Sequence, residues 1–187
     1  MTYTNKTIEN EVALIELSKH NLDAFRPLYD YYYKSIFLFI YNRVGDKEVS
    51  ADITSQVFLK VLQNIKRYQH KGLPFSAWLY RIAINEVNNF FRDQTKQRYV
   101  AIEETELQLL QADLTEEFSL EHLQIRLEEL LQRLKPEELY LLELRYFESK
   151  PFKEVAAILN ISEVHAKVKT YRILDKLKKF IFTKNEK

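Results

Sequence analysis

Two stretches of this 187-residue sequence gather cations and hydrogen-bonding side chains of the kind that grip an anionic polymer. Near the C-terminus, Ser162, Glu163, His165, Lys167, Lys169, Arg172 and Lys176 crowd together. Such side chains bind phosphates and can read base edges by hydrogen bonding. In the first half, Lys66-Arg67-Tyr68-Gln69-His70-Lys71 is followed by Arg81, Asn85, Asn88 and Arg92, spaced i, i+4, i+7 and i+11. Cations meet phosphates there, and flat rings offer unstacked bases a partner worth about 1–3 kcal/mol each. A merely solvated polar face is the competing reading of that stripe. Other chemistry finds no anchor. The histidines His20, His70, His122 and His165 lack metal-ligand spacing, and there is no cysteine and no glycine-rich phosphate loop. Glu103-Glu104 and Glu128-Glu129 read as solvated charge. The expectation is a protein that is not an enzyme, with no cofactor, no metal and no small-molecule substrate.

The C-terminal cations need a helix to present them. Lys150 to Leu159 reads as a short helix opened by Pro151, a residue tolerated in a first turn. Asn160-Ile161-Ser162 breaks it: Asn160 can take the left-handed conformation and Ser162 can cap the next helix. From Glu163 to Leu177, Ala166, Thr170, Ile173 and Leu177 form an inward stripe, with small Ala156 at the crossing of the two helices. This is the pattern of a helix-turn-helix, whose second helix normally enters the DNA major groove. An ordinary helical hairpin with a charged face would share the pattern. Charge favours DNA, because Pro151 to Lys187 carries nine Lys/Arg against four Asp/Glu.

Net charge of +1 conceals this segregation. Ile102 to Leu130 holds nine acids against Arg126 alone, whereas Met1 to Ala101 holds fourteen basic and ten acidic residues. Two basic blocks flanking an acidic one imply two modules and a connector that avoids DNA. Two glycines and four prolines leave few β-turn signals. The expected class is therefore all-α, with two small helical domains joined by a linker and a helix-turn-helix in the second. The expected boundaries are 1–93, an acidic linker over 94–114, and 115–187. The N-terminus lacks the basic-then-apolar pattern of a signal peptide, and the apolar run Ile36 to Tyr41 falls well short of the roughly 20 residues that span a bilayer. A soluble, cytoplasmic protein without direct membrane insertion is expected.

In the first module, Phe25, Leu28, Tyr29, Tyr32, Ile36, Ile40 and Val44 trace one helix face that Gly45 ends. Asp46 can cap a second helix carrying Ile53, Phe58, Val61, Leu62 and Ile65 inward. A third runs from Phe75 to Arg92, with Leu79, Ile82, Ala83, Val87 and Phe90 toward the core. Trp78 is read chiefly as core, with base stacking as the alternative.

Asp52-Ile53-Thr54-Ser55-Gln56-Val57-Phe58-Leu59, followed by Phe75-Ser76-Ala77-Trp78-Leu79-Tyr80-Arg81-Ile82-Ala83 with Asn85, Asn89 and Arg92, resembles the second conserved region of the sigma-70 family of bacterial RNA polymerase sigma factors. Leu134-x-Pro136 to Leu177 resembles their fourth region. The two-region layout is similar to that of the extracytoplasmic-function (ECF) class. This resemblance implies a factor that binds core RNA polymerase and directs promoter recognition, promoter melting and transcription initiation. It implies that Asp52, Ser55 and Gln56 meet a coiled coil of the polymerase, with Phe58 packing behind; Ser55 and Gln56 stand where the family has Gln and Glu. Tyr68, His70 and Lys71 would surround an extruded minus-ten base, with Arg81, Asn85, Asn88 and Arg92 on the backbone. Extrusion costs a few kcal/mol that the pocket must offset. Ser162, Glu163, His165, Ala166 and Lys169 would face base edges or adjoining phosphates of the minus-thirty-five duplex, with Lys167 and Arg172 on phosphates. Outward Val164 or Val168 would touch thymine methyl groups or pack on a neighbouring helix. The linker would thread the polymerase channel or stay a solvated tether. An anti-sigma factor is the further partner implied. A stand-alone helix-turn-helix regulator is the alternative, disfavoured because its sensor domain would bring strands and Gly-rich turns.

Overall fold

The computed structural model describes residues 10–70, 72–93, 110 and 130–183, and every described element is helical. The chain divides into two compact units, 1–96 and 97–187. Of the expected linker over 94–114, only Leu110 is described; it is helical and fully buried.

In the first unit, α1 (Glu11–Ser18) leads through a 3-10 turn (Leu22–Phe25) into α2 (Arg26–Val44), α3 (Lys47–Asn64), a second 3-10 turn (Ile65–Arg67) and α4 (Phe75–Asp93). The punctuation is local chemistry. Pro27 sits in the first turn of α2, and Gly45 ends that helix at φ 72°. The Asp46 carboxylate then accepts the Val49 N–H at 2.9 Å and starts α3. Leu28, Ile36 and Ile40 of α2 are fully buried, as are Val57 and Val61 of α3, so these faces close on each other. Burial of this kind is worth about 1.5–3 kcal/mol per large side chain. Tyr29, expected inward, is instead exposed, its ring edge lying on Phe58 with centroids 4.7 Å apart. Val44, Leu62, Ile82 and Phe90 are only half-buried, at the ends and margins of their stripes.

Helix α4 packs against both α2 and α3. Phe75, Leu79, Ala83 and Val87 are fully buried, and Tyr80 nearly so, with its ring edge-on to Phe39 at 5.1 Å. Because neighbours cover so much of α4, only a narrow strip of it faces outward.

In the second unit, α5 (Pro136–Leu142) runs into a π-helical turn (Glu143–Phe147), followed by α6 (Phe152–Leu159) and α7 (Glu163–Thr183). Pro151 is extended and precedes α6, so the helix begins one residue later than expected. Asn160 adopts φ 56° and ψ 46°, which lets the Ile161 N–H return to the Ala156 carbonyl at 2.9 Å. Ser162 Oγ accepts the His165 N–H at 3.1 Å and opens α7. Ala166, Thr170, Ile173 and Leu177 are buried as their spacing predicts. Asn160→Gly should therefore be tolerated, whereas Asn160→Val should lower stability by about 1–2 kcal/mol, since a β-branched residue resists the left-handed region. Phe58→Ala should cost about 3–5 kcal/mol through the cavity it leaves. Urea denaturation of each variant measures both.

Candidate nucleic-acid interface

The strip of α4 left free faces the end of α3 and the turn after it, and a groove of about 750 Å3 opens between them. Tyr68, Trp78, Asn85, Asn88 and Arg92 line it, with Lys60, Asn64 and Arg67 along the other wall. Phe75, fully buried, is the anchor beneath: Tyr68 stands edge-on to its ring at 5.3 Å and tilts onto Trp78 at 4.8 Å. Burial, and then the Glu11 carboxylate, push the Tyr68 phenol above the ordinary tyrosine range. Trp78 combines the two readings: it is half-buried, its ring tilted onto the buried Phe75 at 5.5 Å, and it also forms the aromatic wall of the groove.

Two acidic residues, one in the groove and one outside it, escape sequence reasoning. Glu86 is only 8% exposed, and its carboxylate meets Lys60 Nζ at 2.6 Å. A carboxylate so deep needs a partner, and this one comes from a residue 26 positions away, beyond any local periodicity. Of the anticipated loop and stripe residues, Arg81 and His70 are exposed but do not line the groove, and Lys71 lies outside the described residues.

Glu11 is the other residue without a sequence signal. On α1, it accepts a hydrogen bond from the Tyr32 hydroxyl and a long one, 3.5 Å, from the Phe75 N–H. One carboxylate thus ties the N-terminal helix to α2 and to the first residue of α4, where the loop ends. Ile15 and Ser18, both fully buried, seat the helix that carries it.

On the outward side of α3, Asp52, Ser55 and Gln56 are exposed, the Ser55 hydroxyl donating to the Ala51 carbonyl at 2.9 Å. Phe58 packs behind them as expected: at 2% exposure, within a ring cluster with Phe25, Tyr29 and Tyr33, it supports the face from beneath. The exposed apolar residue of this face is Leu59, at 55%, one turn beyond Gln56.

In the second unit, Ser162, Glu163, His165, Lys167 and Arg172 are exposed and Lys169 is half-buried. Ala166, expected both in the inward stripe and among the DNA contacts, is corrected as a contact: it is fully buried against the preceding helices and cannot reach a base. Glu163 and Lys167 pair at 3.2 Å, and Lys167 also lies over the Phe152 ring at 5.9 Å. His165, Lys169 and Arg172 border a shallow cavity of about 380 Å3 that reaches Glu138 of α5, where Lys176 approaches to 3.5 Å. Among the described residues, no group of acidic or histidine side chains could hold a metal, and no helix is long and apolar enough to cross a membrane.

Because Trp78 is the sole tryptophan, its emission reports on this groove. Glu11→Ala should shift Trp78 emission to the red and lower stability by about 1–2 kcal/mol, the usual cost of leaving buried donors unmatched. Glu11→Gln retains an acceptor oxygen and should show a smaller change in both. Equal effects of the two substitutions would mean that the charge of Glu11 matters rather than its acceptor geometry.

Comparison with known proteins bears on both units. The family model for Sigma-70 region 2 matches residues 28–97, and that for Sigma-70, region 4 matches residues 130–179. The ECF RNA polymerase sigma factor BldN of Streptomyces coelicolor is 32% identical over 164 residues, covering 85% of this chain and 61% of that relative. The RNA polymerase sigma factor YlaC of Bacillus subtilis is 27% identical, also over 164 residues, covering 86% of this chain and 93% of the relative. The solved RsbN–BldN complex aligns over 89% of this chain and 98% of the other at 24% identity, with a TM-score of 0.39, too loose a superposition to carry a geometric argument. With both regions present in order, and relatives that are ECF sigma factors, the chain belongs to the sigma-70 family of RNA polymerase sigma factors, in its ECF class.

Proposed function

We propose that this sigma factor joins core RNA polymerase, brings it to promoters and opens them, taking no catalytic part itself and working in the cytoplasm. The observation that carries the reading is the groove of the first unit. It sets the touching, tilted rings of Tyr68 and Trp78 beside Asn85, Asn88 and Arg92, a combination suited to unpaired bases and their backbone. Duplex DNA keeps its bases stacked and offers these rings nothing to hold, so the site favours the melted state. Asp52, Ser55, Gln56 and Leu59 form the face for the polymerase, with Phe58 holding that face in shape. Tyr68, His70 and Lys71, with Arg81, Asn85, Asn88 and Arg92, are assigned to the minus-ten strand. Trp78 joins them as a stacking surface.

The second unit would hold the minus-thirty-five duplex through α7. Its exposed cations suit phosphates, while His165 and Glu163, near the start of the helix, suit base edges. An anti-sigma factor that covers these faces is the partner we assign for regulation.

Run-off transcription with core polymerase and a genomic promoter pool tests the whole reading: defined start sites should appear only when the factor is added. Asn85→Ala should slow open-complex formation on duplex templates and recover part of the loss on a pre-melted bubble, as read by permanganate footprints of unpaired thymines. Lys169→Ala and Arg172→Ala should each flatten the salt dependence of promoter binding by about 0.9 in log–log slope. Unchanged start sites and footprints would refute the assignment.

A further inference from the structure

Over its first turns, the outward line of α7 is not polar; a charge, Asp175, joins it only further along. Ala166, Thr170, Ile173 and Leu177 face the core, and at about 100° per residue the positions opposite them are Val164 and Val168, about 40° apart. The structure agrees: Val164 is 71% exposed and Val168 43%, and Tyr171 on the same arc is 56% exposed. His165 and Arg172 stand on one shoulder of this line, and Lys167 on the other. The cations therefore flank the helix, while its midline near the N-terminus, the part that enters deepest into a major groove, carries two β-branched hydrocarbons.

A valine can neither donate nor accept a hydrogen bond. Pressed on a major-groove edge, it removes water from donors and acceptors without replacing their bonds, which is unfavourable at most bases. The C5-methyl of thymine is the apolar group that the major-groove edge presents. Resting on the reading of α7 as the minus-thirty-five helix, we propose that Val164 and Val168 read thymine methyl groups at the centre of that element. The flanking cations then set register on the phosphates, and this chain's sequence preference comes in large part from apolar contact.

The test uses the holoenzyme assembled from core polymerase and the full chain. Duplexes with a randomised upstream element are selected for binding, and each selected thymine is then replaced by deoxyuridine, which removes only the methyl group. Wild-type holoenzyme should bind about fourfold more weakly for each methyl lost, the equivalent of about 0.8 kcal/mol for one buried carbon. Val164→Ala and Val168→Ala should each abolish the thymine–uracil difference at one position, while His165→Ala should leave it intact. Both valines are exposed, so the alanine variants should melt like the parent, which a circular-dichroism melt checks. Equal affinity of the wild type for thymine and uracil duplexes would overturn the proposal while leaving the promoter reading in place. So would a difference that survives in both alanine variants, which would give this apolar line to a protein partner instead. Selection that yields no upstream element at all would remove the helix-turn-helix reading itself.

Discussion

The wide burial of α4 is the constraint on which the rest of the first unit depends. Phe75, Leu79, Ala83 and Val87 are sealed on one side, and Ala77, Tyr80 and Ile84 turn the buried arc further round the helix. A helix gripped between α2 and α3 in this way can neither rotate nor slide without exposing several large apolar groups, each worth about 1.5–3 kcal/mol. Its remaining strip is therefore fixed in orientation, and the polar residues on it stand at set distances from the end of α3. Rigid placement on helices, rather than on loops, holds a binding site to a narrow geometry.

The second unit solves the same problem with less material. A left-handed residue, a single serine cap and a small residue at the crossing set α7 against α6. Each device acts within a few residues of its own position. The angle between the helices thus rests on local chemistry, and the buried stripe of α7 holds it in place. The outward line of the helix is left unencumbered.

This division explains how much of the molecule is legible in the sequence. Turns and caps are read from neighbours in the chain, so Gly45, Asp46, Asn160 and Ser162 stand out as punctuation. Core stripes obey the helical period and are visible where one face alone is buried. The period misleads at Tyr29, which it turns inward and the fold leaves exposed at the rim of the ring cluster. It puts Phe58 and Ala166 correctly in the core; the family pattern, not the period, is what offered Ala166 as a contact as well. Glu11 and the Lys60–Glu86 pair are hidden for a different reason. Their partners are separated by 21 to 64 residues, and no local pattern encodes which side chains the fold will bring together.

The Lys60–Glu86 pair also gives the groove a polarity across its depth. The carboxylate is the deep member, while its ammonium partner is nearly half exposed toward the opening. A phosphodiester that sank to that floor would meet negative charge in a partly desolvated setting, where repulsion is poorly screened. Exocyclic amino groups of adenine or cytosine would instead meet a hydrogen-bond acceptor. On the proposed function, a strand lying in this groove would be oriented edgewise, nucleobases inward and sugar–phosphate chain along the cationic rim. An ion pair that looks like structural reinforcement would then act as a compass for the polymer lying over it.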